Sequence, residues 1–273
     1  MDRHKLIQDI KSGNYHLSPS SIKAFIQSPR SFIEYKLRPR TPATDAIKRG
    51  YLFENLSLRD ELGGVKIDGR VIPYKVFDDT EKLKDIGGAK PRATKKYREW
   101  KAETLKGVPP DCVVTKDLVA EAKAMRDRLW NHPFFKFKMK GDIEETDVKV
   151  EWQVNGVPFL GYIDAKGKSI YDTKSIVDAS QRKAYYTCRD RQYPLQIANY
   201  CNATGLKDGY IVACDASLEV YITRIDPTTV KGLIHRTEWY VDKFLECIDR
   251  GAWDQGQEFW TDSGYYEWAE GVI

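Results

Sequence analysis

Hydrophobic positions along this chain change period several times, and each change marks an element. After a short polar lead (1–16) with one helical turn through Leu6, Ile7 and Ile10, the pattern turns helical at Ser18. Ile22, Phe25 and Ile26 recur at three- and four-residue spacing, with Ser18 as N-cap and Pro19 in the first helical position. Ser28-Pro29-Arg30 interrupts that helix, and Phe32, Ile33 and Leu37 resume it. Ile47, Tyr51, Leu52 and Leu56 predict a helix from Ala46, and Leu118, Ala122, Met125 and Leu129 one from Lys116 to Trp130. Strand-like composition marks Val65 to Val76 (with Asp68-Gly69 as a turn), Lys149 to Val154, Pro158 to Asp164, Ile170 to Lys174, Gly209 to Cys214 and Leu218 to Ile225. Asn155-Gly156 predicts a two-residue hairpin, and Ala165-Lys166-Gly167-Lys168 a second turn. Pro109-Pro110 ends a charged stretch, and His132-Pro133 begins a loop. Asp178 or Ser180 caps a helix to about Arg189, a second runs from Tyr193 to about Asn202, and a long one from Thr228 to Arg250. The aromatic, acidic tail from Gly251 is expected against the body or a neighbouring subunit.

Composition narrows the class. With 41% hydrophobic and 12% aromatic residues among 273, the chain can bury a large core, as one large domain or two small ones. The net charge of +4 is mild, so a polyanion site would have to come from local clustering. Cys112, Cys188, Cys201, Cys214 and Cys247 are scattered and contain no C-x-x-C, which argues against disulfides, a zinc site or an iron–sulfur cluster. No 18-residue apolar run and no apolar signal core are seen, so a soluble, cytoplasmic protein without membrane contact is expected.

The candidate chemistry lies between Gly161 and Tyr200. Strand alternation puts Asp172 and Lys174 on one side, and a hairpin would bring Asp164 back beside Asp172. Two carboxylates about 4 Å apart repel by roughly 4 kcal/mol at an effective dielectric near 20. Lys174 cancels part of this, and a divalent cation would cancel the rest. Oxygen-only ligands favour Mg²⁺ or Mn²⁺ over zinc. The alternative is a solvated strand end with an ordinary Asp–Lys pair. Glu54 follows Gly50 on its helix and faces either inward or solvent, and the helical glycine suggests a close backbone approach. Arg30, at a helix break with its donors free, suits a surface ion pair or a phosphate. The run from Lys82 to Lys106, with Lys90, Arg92, Lys95, Lys96 and Lys101 around Tyr97 and Trp100, is either a solvated face or a phosphate-tracking arm with aromatic stackers. Gln196 and Tyr200 share one helical face.

In order, these features read G-x-x-x-E (Gly50, Glu54), G-Y-I-D ending in Asp164, D-x-K (Asp172, Lys174) and Q-x-x-x-Y (Gln196, Tyr200). The chain resembles the PD-(D/E)XK nuclease superfamily, in its RecB-like branch with the RecE-type (exodeoxyribonuclease VIII) phage and prophage enzymes, and is similar to lambda exonuclease. The opening S-P-S-S-I-K-A-F and S-P-R-S-F also look like the start of RecE-type nucleases, so the match runs from about residue 17 to 202. It departs from the branch in carrying Glu54 where His is frequent, in Gly161-Tyr162-Ile163 where Arg often precedes the first acid, and in lacking iron–sulfur cysteines.

The resemblance implies an α/β (α+β) restriction-endonuclease-like core with a central mixed sheet flanked by helices. It implies one nuclease domain over 1–273, with its core at about 17–225, a basic insertion at about 78–110, and a C-terminal helix plus tail at 228–273. The expected activity is Mg²⁺-dependent exonucleolysis, 5′→3′ on linear double-stranded DNA, feeding recombination; a restriction- or repair-type endonuclease and a non-catalytic DNA-binding protein are the alternatives. Glu54, Asp164, Asp172 and the Thr173 carbonyl would hold two ions about 3.5–4 Å apart, and Lys174 would orient the attacking water. Gln196 and Tyr200 would hold the lysine or the DNA backbone. Arg30 would anchor the 5′-phosphate, and Lys90, Arg92, Lys95, Lys96, Trp100 and Lys101 would guide duplex. A homo-oligomeric ring of three or four subunits and a single-strand annealing partner complete the expectation.

Overall fold

The computed structural model describes residues 2–39, 41–67 and 70–262. The chain begins with three short helices, α1 (Arg3–Lys11), α2 (Pro19–Gln27) and α3 (Pro29–Leu37), followed by α4 (Asp45–Arg59). Then come β1 (Gly64–Ile67), β2 (Arg70–Pro73), β3 (Lys75–Phe77), α5 (Thr80–Ile86), α6 (Lys95–Thr104), β4 (Val113–Thr115), α7 (Lys116–Asn131) and α8 (Lys140–Asp142). The second half runs β5 (Glu145–Val154), β6 (Val157–Lys166), β7 (Ile170–Ser175), α9 (Gln181–Asp190), α10 (Tyr193–Thr204), β8 (Gly209–Cys214), β9 (Val220–Ile225), α11 (Pro227–Arg250) and α12 (Glu258–Asp262).

Five strands form a mixed sheet in the order β5-β6-β7-β8-β9. All neighbours are antiparallel except β7 and β8, which are parallel and joined through α9 and α10. Helices cover both faces. Ile163, Ile170 and Ile211 pack with Ile197, Ala198, Tyr200 and Val230 of α10 and α11. Ala165, Tyr171, Val212 and Cys214 pack with Phe53 of α4 and with Met125 and Leu129 of α7. The N-terminal helices and α11 share an aromatic core of Phe25, Phe32, Tyr240, Phe244, Trp253, Phe259 and Trp260, so the described part of the tail packs against the body. The rest of the tail, residues 263–273, and the expected Asp68-Gly69 turn lie outside the described residues. The five cysteines are buried. Among the described residues no helix is long and apolar enough to cross a membrane.

Local chemistry accounts for most boundaries. Ser18 caps α2 in a reciprocal box with Ser21, and Ser28 caps α3 with Pro29 in its first turn. Asn155 and Gly156 both take positive φ (48° and 80°), which the tight hairpin requires. The second hairpin differs from expectation: Ala165 and Lys166 stay in β6, and the turn is Gly167 to Ser169. Gly167 is required there, because a Cβ would fall 1.6 Å from the Asp142 carbonyl oxygen. The segment expected to begin a loop at His132-Pro133 instead winds into a π-helical turn, Phe135–Met139, and α8.

Candidate active site

The third strand of the sheet, β7, is buried on both sides at its start and opens towards its end, which places a polar side chain at Asp172 in full burial and Lys174 near the surface. Strand alternation puts both on the α10 side, as the sequence indicates. The register explains how Asp164 joins them. β6 and β7 pair only at Lys166–Ile170 and Ala165–Tyr171, after which the strands part. Asp164 fills the gap: its Oδ2 accepts from the Thr173 N–H at 2.7 Å and from the Thr173 hydroxyl at 3.1 Å. A side-chain carboxylate thus replaces the missing ladder partner. Hydrogen bonds to a charged acceptor contribute about 1.5–3 kcal/mol each, enough to fix its position.

Lys174 Nζ lies 2.7 Å from Asp172 Oδ1 and 3.7 Å from Asp164 Oδ2, and it also donates to the Thr173 carbonyl at 3.2 Å. That carbonyl, expected as a ligand, is therefore engaged by Lys174. Burial works against the Lys174 ammonium, but the charges of Asp172 and Asp164 outweigh it and hold its pKa above the usual lysine range. Asp172 is fully buried, which pushes its carboxyl up to about 6 against the pull of Lys174. Its Oδ1 takes a second hydrogen bond, from Gln196 Nε2 at 3.0 Å, while its Oδ2 is buried with no partner.

Glu54 reaches the same pocket from α4, which packs on β6 and β7. Burial, reinforced by the Asp164 charge, raises its carboxyl to about 8, and Lys174 and Arg59 oppose that rise. Arg59 Nη2 lies 3.6 Å from Glu54 Oε1. Glu54 also lines a groove of about 980 Å³ with Tyr35, Lys36, Tyr51, Arg59 and Tyr162. Gly50 meets only Ser175 Cβ, at 3.8 Å, so no close approach demands a glycine there. Gly161 does have such a reason: a Cβ would lie 2.7 Å from the Tyr200 ring. Tyr200 is thereby held against the strand, and its hydroxyl accepts from Gln196 Nε2 at 3.3 Å.

Sequence reasoning missed Lys23. Its Nζ donates to Gln196 Oε1 at 2.8 Å, and burial lowers its pKa to about 8. The only available signal was its position inside the S-P-S-S-I-K motif of a half-buried helix.

The expected phosphate-binding residues lie elsewhere and are largely occupied. Arg30, expected with free donors, donates through Nε at 2.9 Å and through Nη2 to the Asp254 carbonyl, tying α3 to the C-terminal segment. Arg92 makes a two-pronged pair with Asp79, which also accepts from the Tyr97 hydroxyl at 2.6 Å. Lys95 lies 3.7 Å from Glu99, and Lys96 lies 3.3 Å from Asp85. Trp100 packs against Phe77 and Tyr97, so it supports this unit, and Lys101 lies over the Phe77 ring. Lys90 is exposed and, among the described residues, has no ion pair.

One other acidic group, Asp178, Asp215 and Glu219, has ligand atoms within 4.8 Å of one another; among the described residues Glu54, Asp164 and Asp172 do not close to that spacing. Asp215 accepts from the Ala179 and Glu219 N–H groups, and Asp178 accepts from Ser180 and pairs with Lys183. That cluster is a loop staple.

No protein-family model and no curated protein matches this chain. Among solved structures, a protein from Eubacterium rectale provisionally described as an exonuclease superposes with a TM-score of 0.55 at 13% identity, covering 92% of this chain and 87% of its own. A phage-related exonuclease from Haemophilus somnus 129PT matches 76% of this chain and 96% of its own at 12% identity, but with a TM-score of 0.31 that match carries no weight. The first likeness shows a shared fold.

Proposed function

We propose that this chain is a metal-dependent deoxyribonuclease with a PD-(D/E)XK-type centre of the RecE-like kind. It degrades linear duplex DNA from its ends, 5′→3′, leaving single strands for recombination. The observation that carries this reading is the grouping where β6 and β7 part: Lys174 between Asp172 and Asp164, with Asp172 Oδ2 buried and without a partner. An orphaned anionic oxygen beside further carboxylates fits a hard cation, because burying it otherwise has no compensation. Asp172, Asp164 and Glu54 would hold magnesium or manganese, with the Thr173 carbonyl as a further oxygen. When bound, such a cation polarises the phosphoryl group and acidifies water.

The chain's own residues supply the rest. Lys174 orients the attacking water and offsets the charge that develops on the phosphoryl oxygens. Thr173 fixes Asp164, and Gln196 with Tyr200 fixes Asp172. The fold shared with a protein described as an exonuclease supports the same reading. The proposal extends to DNA ends as substrate, a ring of three or four subunits, a single-strand annealing partner and a cytoplasmic setting; native mass measurement tests the ring.

Digestion of end-labelled linear duplex, with 5′-phosphate or 5′-hydroxyl ends, beside a covalently closed circle tests the activity. The expected result is Mg²⁺-dependent loss of the linear forms alone, stopped by chelation. Cleavage of the closed circle makes the chain an endonuclease, and DNA binding without any metal-dependent cleavage makes it a binding protein. Asp172→Asn and Lys174→Met are each expected to slow cleavage by on the order of 10²–10³ or more, with duplex affinity retained. Full activity in either variant rejects the assignment.

A further inference from the structure

Lys23 belongs to α2, remote in sequence from every other member of the site. A backbone bridge seats that helix: Leu17 N–H donates to Pro158 and Leu160 N–H to Leu17, so the residue before the Ser18 cap is tied to β6. From there Lys23 Nζ reaches Gln196 Oε1 at 2.8 Å, while Gln196 Nε2 donates to Asp172 Oδ1 at 3.0 Å. An ammonium offers only donors and a carboxylate only acceptors. Gln196 therefore fits between them in one orientation, oxygen towards Lys23 and nitrogen towards Asp172. Both lysines lie over the Tyr193 ring, Lys23 at 5.0 Å and Lys174 at 5.4 Å from its centroid. Asp172 Oδ1 thus carries two donors, Gln196 and Lys174, while Oδ2 carries none.

We propose that Lys23 is a positioning residue: acting through Gln196, it keeps the Asp172 carboxylate turned so that Oδ2 stays open to a divalent cation. This rests on the reading of Asp172 as a cation ligand. Without Lys23 the Gln196 oxygen loses the donor that anchors it. The side chain can then swing away from Asp172, and the carboxylate is free to turn. Lys23 touches neither ion nor phosphate in this role, so its loss acts on ion affinity and turnover and leaves DNA affinity alone.

The test uses the full chain with Mn²⁺ alone, followed by electron paramagnetic resonance of the free ion, and with linear duplex hydrolysis as a second readout. Loss of partners that orient ligands typically costs 10–100-fold in metal affinity. Lys23→Met is expected to weaken Mn²⁺ binding by about tenfold or more and to lower kcat with KM for DNA unchanged. Lys23→Arg, which still donates, is expected to recover much of both. The double variant Lys23→Met/Gln196→Ala is expected to bind Mn²⁺ no worse than Gln196→Ala alone, since both changes break one chain of contacts. Wild-type Mn²⁺ affinity in folded Lys23→Met overturns the proposal, and so do losses that multiply in the double variant. Should Lys23→Met fail to fold, Lys23→Gln takes its place against the same outcomes. Asp172→Asn separates the two readings. If it binds Mn²⁺ as wild type does, the cation site itself is wrong. If it loses the ion while Lys23→Met keeps it, only the positioning role falls.

Discussion

Glu54, Asp172 and Lys23 sit far from their solution behaviour, and the signs of those displacements make a testable stability profile. Burial first, then the Asp164 charge, raises the Glu54 carboxyl from 4.5 to about 8. Between those values the folded, metal-free chain keeps a proton that the unfolded chain releases, so stability falls as pH rises through the window. Asp172 adds a narrower loss between 3.8 and about 6. Lys23 acts in the other direction: its folded value of about 8 lies below 10.5, so stability recovers as pH climbs from 8 towards 10.5. Each displaced unit is worth about 1.4 kcal/mol, which makes Glu54 a term of a few kcal/mol at pH 8. Glu54→Gln is therefore expected to raise the melting temperature of the metal-free chain at pH 8 by several degrees more than at pH 5. Adding Mg²⁺ should stabilise wild type more than this variant. Equal melting shifts at both pH values would show that Glu54 is not buried among the acids.

At the scale of elements, the two glycines of the β6–β7 hairpin do separable work. A Cβ at Gly167 would fall 1.6 Å from the Asp142 carbonyl oxygen, a backbone atom that cannot swing aside. At Gly161 it meets the ring of Tyr200 at 2.7 Å, which a shift of the ring relieves. Gly167→Ala is thus expected to cost about 3 kcal/mol or more, since overpacking against backbone exceeds the usual 1–3 kcal/mol of a crowded core. Gly161→Ala should cost less stability but lower turnover, because Tyr200 backs Gln196. Chemical denaturation and cleavage rates on both variants read the difference; equal stability losses would contradict it. This hairpin also shows what the sequence can and cannot express. The D-x-K alternation and the turn between two strands follow from local pattern, and both are present. The parting of the strands after Ala165–Tyr171 is set by tertiary packing, so the capture of Asp164 by the Thr173 N–H, in place of a ladder bond, left no trace in spacing. Lys23 was hidden for the same reason: its partner is 173 positions away, and the Leu17 bridge to β6 helps turn α2 inward. Phe135-Lys136-Phe137-Lys138 alternates like a strand yet winds as a π-helical turn, and β4 is only three residues long. α2 and α7 were legible almost to the residue because their starts are fixed by side chains next in sequence, while Ser28-Pro29-Arg30, read as an interruption, is the cap and first turn of α3.

For the molecule as a whole, the open matter is how a chain with a net charge of only +4 would hold a polyanion. The basic stretch around α6 is less available than its composition implies. Arg92 is tied bidentately to Asp79, itself largely buried and bonded to Tyr97, which makes Arg92 a brace between the start of α5 and α6. Lys95 and Lys96 face acids across exposed gaps of 3.7 and 3.3 Å, solvent-screened pairs that a phosphate can displace. Lys90 and Lys101 are exposed without an ion pair among the described residues. If this face tracks duplex, removing one cation that neutralises a phosphate lowers the slope of log affinity against log salt by about 0.9. The double variant Lys90→Ala/Lys101→Ala is accordingly expected to reduce that slope by roughly 2 and weaken binding evenly across sequences, with the fold intact. Arg92→Ala should show the opposite balance, a clear loss in melting temperature and a slope reduced by no more than about 1. Titrations of a fixed duplex at four or five salt concentrations distinguish the two. An unchanged slope in the double variant would remove this face from the DNA path and leave the groove beside Glu54 to carry the duplex.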